Sequence, residues 1–238
     1  MKRNIGILLT CVDDSEFATR FPDDGEKFRR LLQPLRPDWT FTTIPVKDNV
    51  FPDNVSDYDG YIITGSPKSV HGDEPWIARL MDFIREASAS RSHLFGACFG
   101  HQAIALALGG TVEKSSKGWG LGTHKTAYSE MAEWMVPART DMTLFAAHED
   151  QVTKLPEGAI LLGGDAFCPI GAYRIGDHIF ATEYHPEMTE DFVAGLLDEL
   201  DGELDNATIS RAKASLAVKT EGQVFARWIV NFFDKSAV

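Results

Sequence analysis

Two short stretches of this 238-residue chain carry residues that do chemistry when they are brought together. The first is Gly96-Ala97-Cys98-Phe99-Gly100, where an apolar run of strand type gives way to an apolar run of helix type. A thiol at that junction stands at the carboxyl edge of a sheet and in the positive end of a helix dipole, which favours thiolate. The flanking glycines suit a crowded turn, and the pentapeptide is the cysteine version of the G-x-S-x-G elbow of hydrolases. Alone it leaves two readings open, a small buried hydrophobe and a nucleophile. A nucleophile needs a base, and the base needs an orienting group. Of seven histidines, His185 ends the apolar run HIFATEYH and is followed two positions on by Glu187. In extended chain, residues i and i+2 project to one side, so this imidazole and this carboxylate meet directly. Pro186 between them lacks an N–H and marks a strand end, where α/β active sites lie. Cys98, His185 and Glu187 are the candidate nucleophile, base and orienting carboxylate.

Such groups must be held by a scaffold, and the first half of the chain reads as one. Strand-type runs at 4–10, 40–46, 60–65 and 93–97 alternate with helical patterns at 25–32 and 75–87, the latter repeating Ile77, Leu80, Met81 and Ile84. Strand, helix, strand, helix implies an α/β fold with an open, mostly parallel sheet and helices on both faces. Beyond residue 110 shorter strands are expected at 123–130, 142–148, 159–164, 169–176 and 178–185, either extending the sheet or forming a flanking ribbon. From about 190 to 238 the pattern is helical, and Phe225, Trp228, Ile229, Phe232 and Phe233 form a stripe that docks on the core. The polar segment 200–223 reads as a helical insertion with a role in specificity. The whole of 1–238 is read as one domain.

Composition excludes several classes. The chain is 44% apolar and carries 23 Lys plus Arg against 35 Asp plus Glu, a formal charge of −12 that repels phosphate backbones and anionic lipid. Nucleic acid and membrane are therefore not expected partners. The N-terminal IGILLTCV is too short for an export signal and is followed by Asp13 and Asp14, so it reads as a buried first strand. Cys11, Cys98 and Cys168 form neither a CxxC pair nor an even framework, which suits a reducing cytoplasm and no disulfide. No metal and no cofactor are expected, since there is no HExxH, no clustered ligand spacing and no phosphate-binding G-x-x-x-x-G-K-[ST] loop.

GACFGHQ together with the distant HPE resembles the class I glutamine amidotransferase family, whose triad is Cys-His-Glu, over nearly the whole chain to about residue 190. The likeness is greatest to stand-alone proteins related to the glutaminase half of GMP synthetase. It implies a flavodoxin-like sheet, with residues 190–238 as a helical extension. It also implies that Cys98 attacks the γ-carboxamide of glutamine, that His185 carries the proton and that Glu187 orients His185. The oxyanion donors would be the N–H groups of Phe99 and of Ser66, in Thr64-Gly65-Ser66-Pro67. Ser66 stands where the family commonly has glycine, and serine fits a left-handed backbone less well. Gln102, Glu149 and Asp150 match positions around the substrate's amino-acid end, although Glu149 and Asp150 also read as capping a helix after His148.

The resemblance implies release of ammonia from glutamine through a cysteinyl thioester, and a separate synthetase would be the partner that accepts the ammonia. The alternative keeps the same triad and changes the leaving group: a γ-glutamyl peptidase or γ-glutamyl amide hydrolase. The third reading is a regulatory protein without catalysis, against which the intact triad weighs.

Overall fold

A computed structural model describes residues 2–235. β1 (Asn4–Leu8) is the buried apolar run near the N-terminus, a strand as expected. The short α1 (Glu16–Thr19) follows, then α2 (Asp24–Leu32), β2 (Thr40–Ile44), β3 (Gly60–Ile63), α3 (Pro75–Ala89), β4 (Leu94–Ala97) and α4 (Phe99–Ala107). Local chemistry sets the helix starts: the Asp23 carboxylate accepts from Glu26 N at 2.7 Å to cap α2, and Pro75 opens α3. The second half adds β5 (Thr111–Lys114), β6 (Gly120–Tyr128), β7 (Asp141–His148), β8 (Asp150–Lys154), β9 (Ala159–Gly164), β10 (Ala172–Ile175) and β11 (Ile179–Thr182). Three helices close the described chain: α5 (Glu190–Glu199), α6 (Asn206–Ser215) and α7 (Gly222–Asp234).

Nine strands form one mixed sheet in the order β2-β1-β3-β4-β11-β10-β9-β6-β7, while β5 and β8 pair in a separate ribbon. The second half of the chain thus does both things open to it: it extends the sheet and builds a ribbon. β2, β1, β3, β4 and β11 run parallel, and the strands beyond β11 are antiparallel. Three expectations shift. The segment at Glu149–Asp150 begins the strand β8, not a helix, because it pairs with β5. β11 stops at Thr182, three residues before His185, since the chain bends at 183–184. Likewise β1 and β3 end at Leu8 and Ile63, and the residues after them leave the ladder to build loops at the carboxyl edge.

Alternation along the central strands splits the core in two. Ile62, Phe95 and Phe180 face α2 and α7, and Tyr61, Ile63 and Leu94 face α3 and α4. The expected stripe on α7 is buried in the first of these clusters, with Phe225 5.4 Å from Phe180 and 6.2 Å from Phe95 between ring centroids. Burial of each such ring stabilises the fold by about 1.5–3 kcal/mol. A third cluster joins Leu121 and Phe145 of the sheet to Val193 and Leu197 of α5 and to Ile209 and Ala212 of α6. The polar segment 200–223 contains α6, which docks where Thr123 N donates to Ser215 Oγ at 2.9 Å and Thr123 Oγ1 donates to Ser215 O at 2.9 Å. Among the described residues, no helix is long and apolar enough to cross a membrane.

Candidate active site

The loops after β1 and β3, the turn from β4 into α4, and the bend after β11 converge at one end of the parallel strands. At the β4–α4 turn, Cys98 has φ 48° and ψ −107°. That left-handed conformation costs a non-glycine residue about 1–3 kcal/mol and is held by its surroundings. Cys98 N donates to Thr182 O at 2.9 Å, which continues the β4–β11 pairing up to the turn. The two glycines act differently from the strained residue: neither has positive φ, and both permit close approach. A Cβ on Gly96 would lie 2.6 Å from the carbonyl carbon of Gly100, and one on Gly100 would lie 2.9 Å from Ile63 Cβ. Strand, helix and neighbouring strand therefore press together at positions where only glycine fits.

His185 and Glu187 meet as the two-residue spacing implies. His185 Nδ1 and Glu187 Oε1 are 2.7 Å apart, both side chains are buried, and His185 Nε2 has no hydrogen-bond partner among the described residues. Gly65 shows that the imidazole and the thiol share one space: a Cβ there would sit 2.8 Å from His185 Cε1 and 3.8 Å from Cys98 Cβ. The loop carrying Ser66 lies against both groups for the same reason. Thr10, just past β1, holds that loop, with its hydroxyl 2.8 Å from Gly65 O and its N–H donating to Thr64 Oγ1 at 3.0 Å. Ser66 is not among the positive-φ residues, so the serine costs no backbone strain; its hydroxyl donates to Thr10 O at 2.8 Å.

Burial pushes the Cys98 thiol well above its usual value, and negative charge on Glu183 or Glu187 would push the same way. The Phe99 N–H, which faces the sulfur, opposes them, and Asp24 adds a smaller upward push. The helix N-terminus does not dominate, contrary to the expectation of a favoured thiolate: desolvation outweighs it, and the resting side chain is a thiol. The Cys98 Sγ lies 4.0 Å from Ala147 O, and His185 Nε2 is left open on the same side of the Gly65 loop.

Gln102 is buried in the first turn of α4, and its amide nitrogen donates to Asp150 O and to Glu183 Oε1, each at 2.8 Å. Asp150 faces the same region through its backbone, while its carboxylate accepts from Ser69 Oγ at 2.6 Å. Glu149 is separated from them, since its carboxylate pairs with Lys114 on β5 at 2.9 Å. Three contributors were not marked by sequence reading. Thr10 and Glu183 are ordinary strand-end residues until the fold buries them. The Asp24–Lys27 pair, 2.8 Å apart and nearly closed to solvent, looks in sequence like helix-surface charge. It lies close enough to Glu187 for that carboxylate to help raise the Asp24 carboxyl, after burial as the main cause.

A buried thiol at a strained strand-to-helix turn, sharing one space with an imidazole oriented by a carboxylate, is equipped for acyl transfer. The chain belongs to the glutamine amidotransferase class-I family, which matches residues 32–191, and is a hydrolase of that family. It is similar to γ-glutamyl peptidase 3 of Arabidopsis thaliana, with 31% identity over 219 residues, 84% of this chain and 82% of the relative. It is also similar to a component of the glutamine-hydrolysing GMP synthase of Methanosarcina barkeri, with 32% identity over 148 residues, 62% of this chain and 71% of the relative. A crystal structure of a glutamine amidotransferase from Thermotoga maritima shares the fold at a TM-score of 0.74, covering 98% of each chain at 16% identity.

Proposed function

We propose that this protein hydrolyses γ-glutamyl amide bonds in peptides or amines, through a γ-glutamyl thioester on Cys98. The observation that carries the reaction type is the 2.7 Å His185–Glu187 contact, with Nε2 left open and the imidazole and Cys98 both packed against Gly65. The choice of leaving group is supported by the similarity to a γ-glutamyl peptidase over 84% of the chain. Hydrolysis of glutamine for a separate synthetase, the first expectation from the sequence, remains the second reading, supported by the 32% identity to the GMP synthase component.

In the first step His185 Nε2 takes the thiol proton as Sγ attacks the γ-carbonyl carbon. Glu187 holds the ring by Nδ1 and stabilises the imidazolium that forms. The carbonyl oxygen becomes an oxyanion, which the Phe99 and Ser66 N–H groups receive. Collapse breaks the C–N bond, and His185 returns its proton to the departing amine. Water, deprotonated by the same nitrogen, then attacks the thioester, and glutamate leaves as the thiol is restored. Gln102 and Asp150 line the wall that takes the amino-acid end of the γ-glutamyl group.

The test is rapid acid quenching of the protein during turnover of γ-glutamyl-p-nitroanilide, followed by peptide mass spectrometry. A γ-glutamyl adduct on Cys98 is expected, absent from Cys98→Ala. Turnover that survives Cys98→Ala would contradict the assignment.

A further inference from the structure

Glu183 lies two residues before His185 and is fully buried, with 0% of its surface exposed. Its backbone N–H is bound to Gly171 O at 2.8 Å, which fixes the residue at the bend after β11. One carboxyl oxygen accepts from Gln102 Nε2 at 2.8 Å, and the other has no hydrogen-bond partner among the described residues. The basic group that approaches it is another buried side chain, His101, whose Nε2 is 3.5 Å from Glu183 Oε2. A carboxylate left in that state would be costly, because burial removes water and no cation replaces it at close range.

We propose that Glu183 is a positioning residue of the active site: its buried carboxyl holds the Gln102 amide against the Asp150 carbonyl and so sets the wall that receives the γ-glutamyl chain. The proposal rests on the γ-glutamyl reading for the identity of that chain. The orientation of Gln102 follows from its partners. The Asp150 carbonyl only accepts, so the amide nitrogen must face it, and the second amide hydrogen goes to Glu183 Oε1. With both hydrogens committed, Gln102 meets a ligand through Oε1, an acceptor suited to an ammonium group. Without Glu183 the amide is free to rotate, and that acceptor is no longer held in place.

The carboxyl does this as the neutral acid. Burial pushes Glu183 well above the usual carboxylate range; the Gln102 hydrogen bond opposes this and Asp150 adds to it. The other titratable groups around it are His101 from α4, Cys98 from the turn, Tyr173 from β10, and Cys168 and Tyr184 from the flanking loops. Burial holds the His101 imidazole down at about 3, so it does not pair with Glu183 as a cation. Neutrality also matters for Cys98, since a charge on Glu183 would be the strongest carboxylate influence against its ionisation.

Two variants and two readouts test this in the intact protein. Glu183→Ala is expected to raise KM for γ-glutamyl-p-nitroanilide by about tenfold, with kcat within about threefold, while Glu183→Gln, which offers an amide oxygen at the same place, brings KM back to within about threefold of wild type. Independently of any substrate, the rate of Cys98 alkylation by iodoacetamide, read by peptide mass spectrometry at neutral pH, is expected to change by less than about twofold in Glu183→Gln. If Glu183 carried a charge, removing it would lower the Cys98 thiol value and speed alkylation about tenfold per unit. An unchanged KM in Glu183→Ala, a Glu183→Gln protein as impaired as Glu183→Ala, or tenfold faster alkylation in Glu183→Gln would overturn the proposal. Should Glu183→Ala not fold, the two Glu183→Gln measurements decide alone. A wild type that turns over no γ-glutamyl compound would end the γ-glutamyl reading, and the alkylation rates would still judge the Glu183 carboxyl.

Discussion

His185 donates its backbone N–H to Phe145 O at 2.8 Å, so the imidazole is located by β7, the outer strand of the sheet, and not by β11, which ends at Thr182. The same strand is gripped at Thr143, whose carbonyl accepts from Glu221 N at 2.9 Å and whose N–H donates to Glu221 Oε2 at 3.2 Å. The His185 imidazole is thus tied to the far edge of the sheet and, through Glu221, to the start of α7. Only the ring's rotation is left to Glu187.

Glu187→Ala removes that rotational and tautomeric control while leaving the Phe145 anchor. The expected outcome is a fall in kcat of about 10²–10⁴-fold, with KM within a few fold, because the ring is misoriented but the pocket is intact. Steady-state kinetics on γ-glutamyl-p-nitroanilide check it. A kcat near the wild-type value would show that His185 needs no orienting carboxylate.

Gly100→Ala places a methyl group 2.9 Å from Ile63 Cβ and closer still to the Ile63 carbonyl. Helix α4 has little room to retreat, as its far side packs on α3, with Trp76 5.5 Å from Phe99 between ring centroids. Destabilisation of about 1–3 kcal/mol is expected, measured as a lower urea midpoint with an unchanged slope. A midpoint equal to wild type would mean that the contact is soft.

Acid lability follows from two buried histidines. Burial lowers His101 and His148 to about 3 from an ordinary 6.5, so the unfolded chain binds protons that the native protein does not. For a base with a depressed value, this stability is present above 6.5 and is lost as pH falls toward 3. Each group contributes a slope of up to about 1.4 kcal/mol per pH unit. Urea unfolding at several pH values between these limits should show a shallower acid loss in His148→Gln than in wild type. Parallel curves for the two proteins would remove His148 from the explanation.

Glu183 works in the opposite direction. Its native value lies above the ordinary 4.5, so its contribution is full below 4.5 and is lost as pH rises toward the raised native value. Glu183→Gln has no such proton to lose. The stability of Glu183→Gln relative to wild type should therefore grow with pH above 4.5, at up to about 1.4 kcal/mol per unit. A difference that stays flat across neutral pH would mean that Glu183 titrates as an ordinary carboxyl.

What was legible in the sequence was what depends on local pattern. The first strands and α2 and α3 follow from periodicity, the α7 stripe from its spacing, and the His185–Glu187 contact from two residues of extended chain. Features set by distant parts of the chain were not legible. Glu149–Asp150 looked like a helix start because its strand partner, β5, lies far upstream in the sequence. The glycines read as makers of a crowded turn, whereas the positive φ falls on Cys98 and the glycines serve close packing. Ser66 looked like an awkward replacement for glycine because its φ depends on how Thr10 holds the loop. Glu183 carried no signal at all, since an acid before an aromatic residue near a strand end is ordinarily solvated. Only the burial that the fold creates makes it a partner of Gln102.

The most direct measurement compares kcat/KM of the purified protein for a γ-glutamyl dipeptide, a γ-glutamyl alkylamide and free glutamine, each repeated with Cys98→Ala. γ-Glutamyl hydrolysis predicts that the dipeptide or the alkylamide exceeds glutamine by at least about tenfold, a difference of about 1.4 kcal/mol in transition-state binding, and that Cys98→Ala abolishes all turnover. Efficient hydrolysis of glutamine beside inert γ-glutamyl compounds would contradict it.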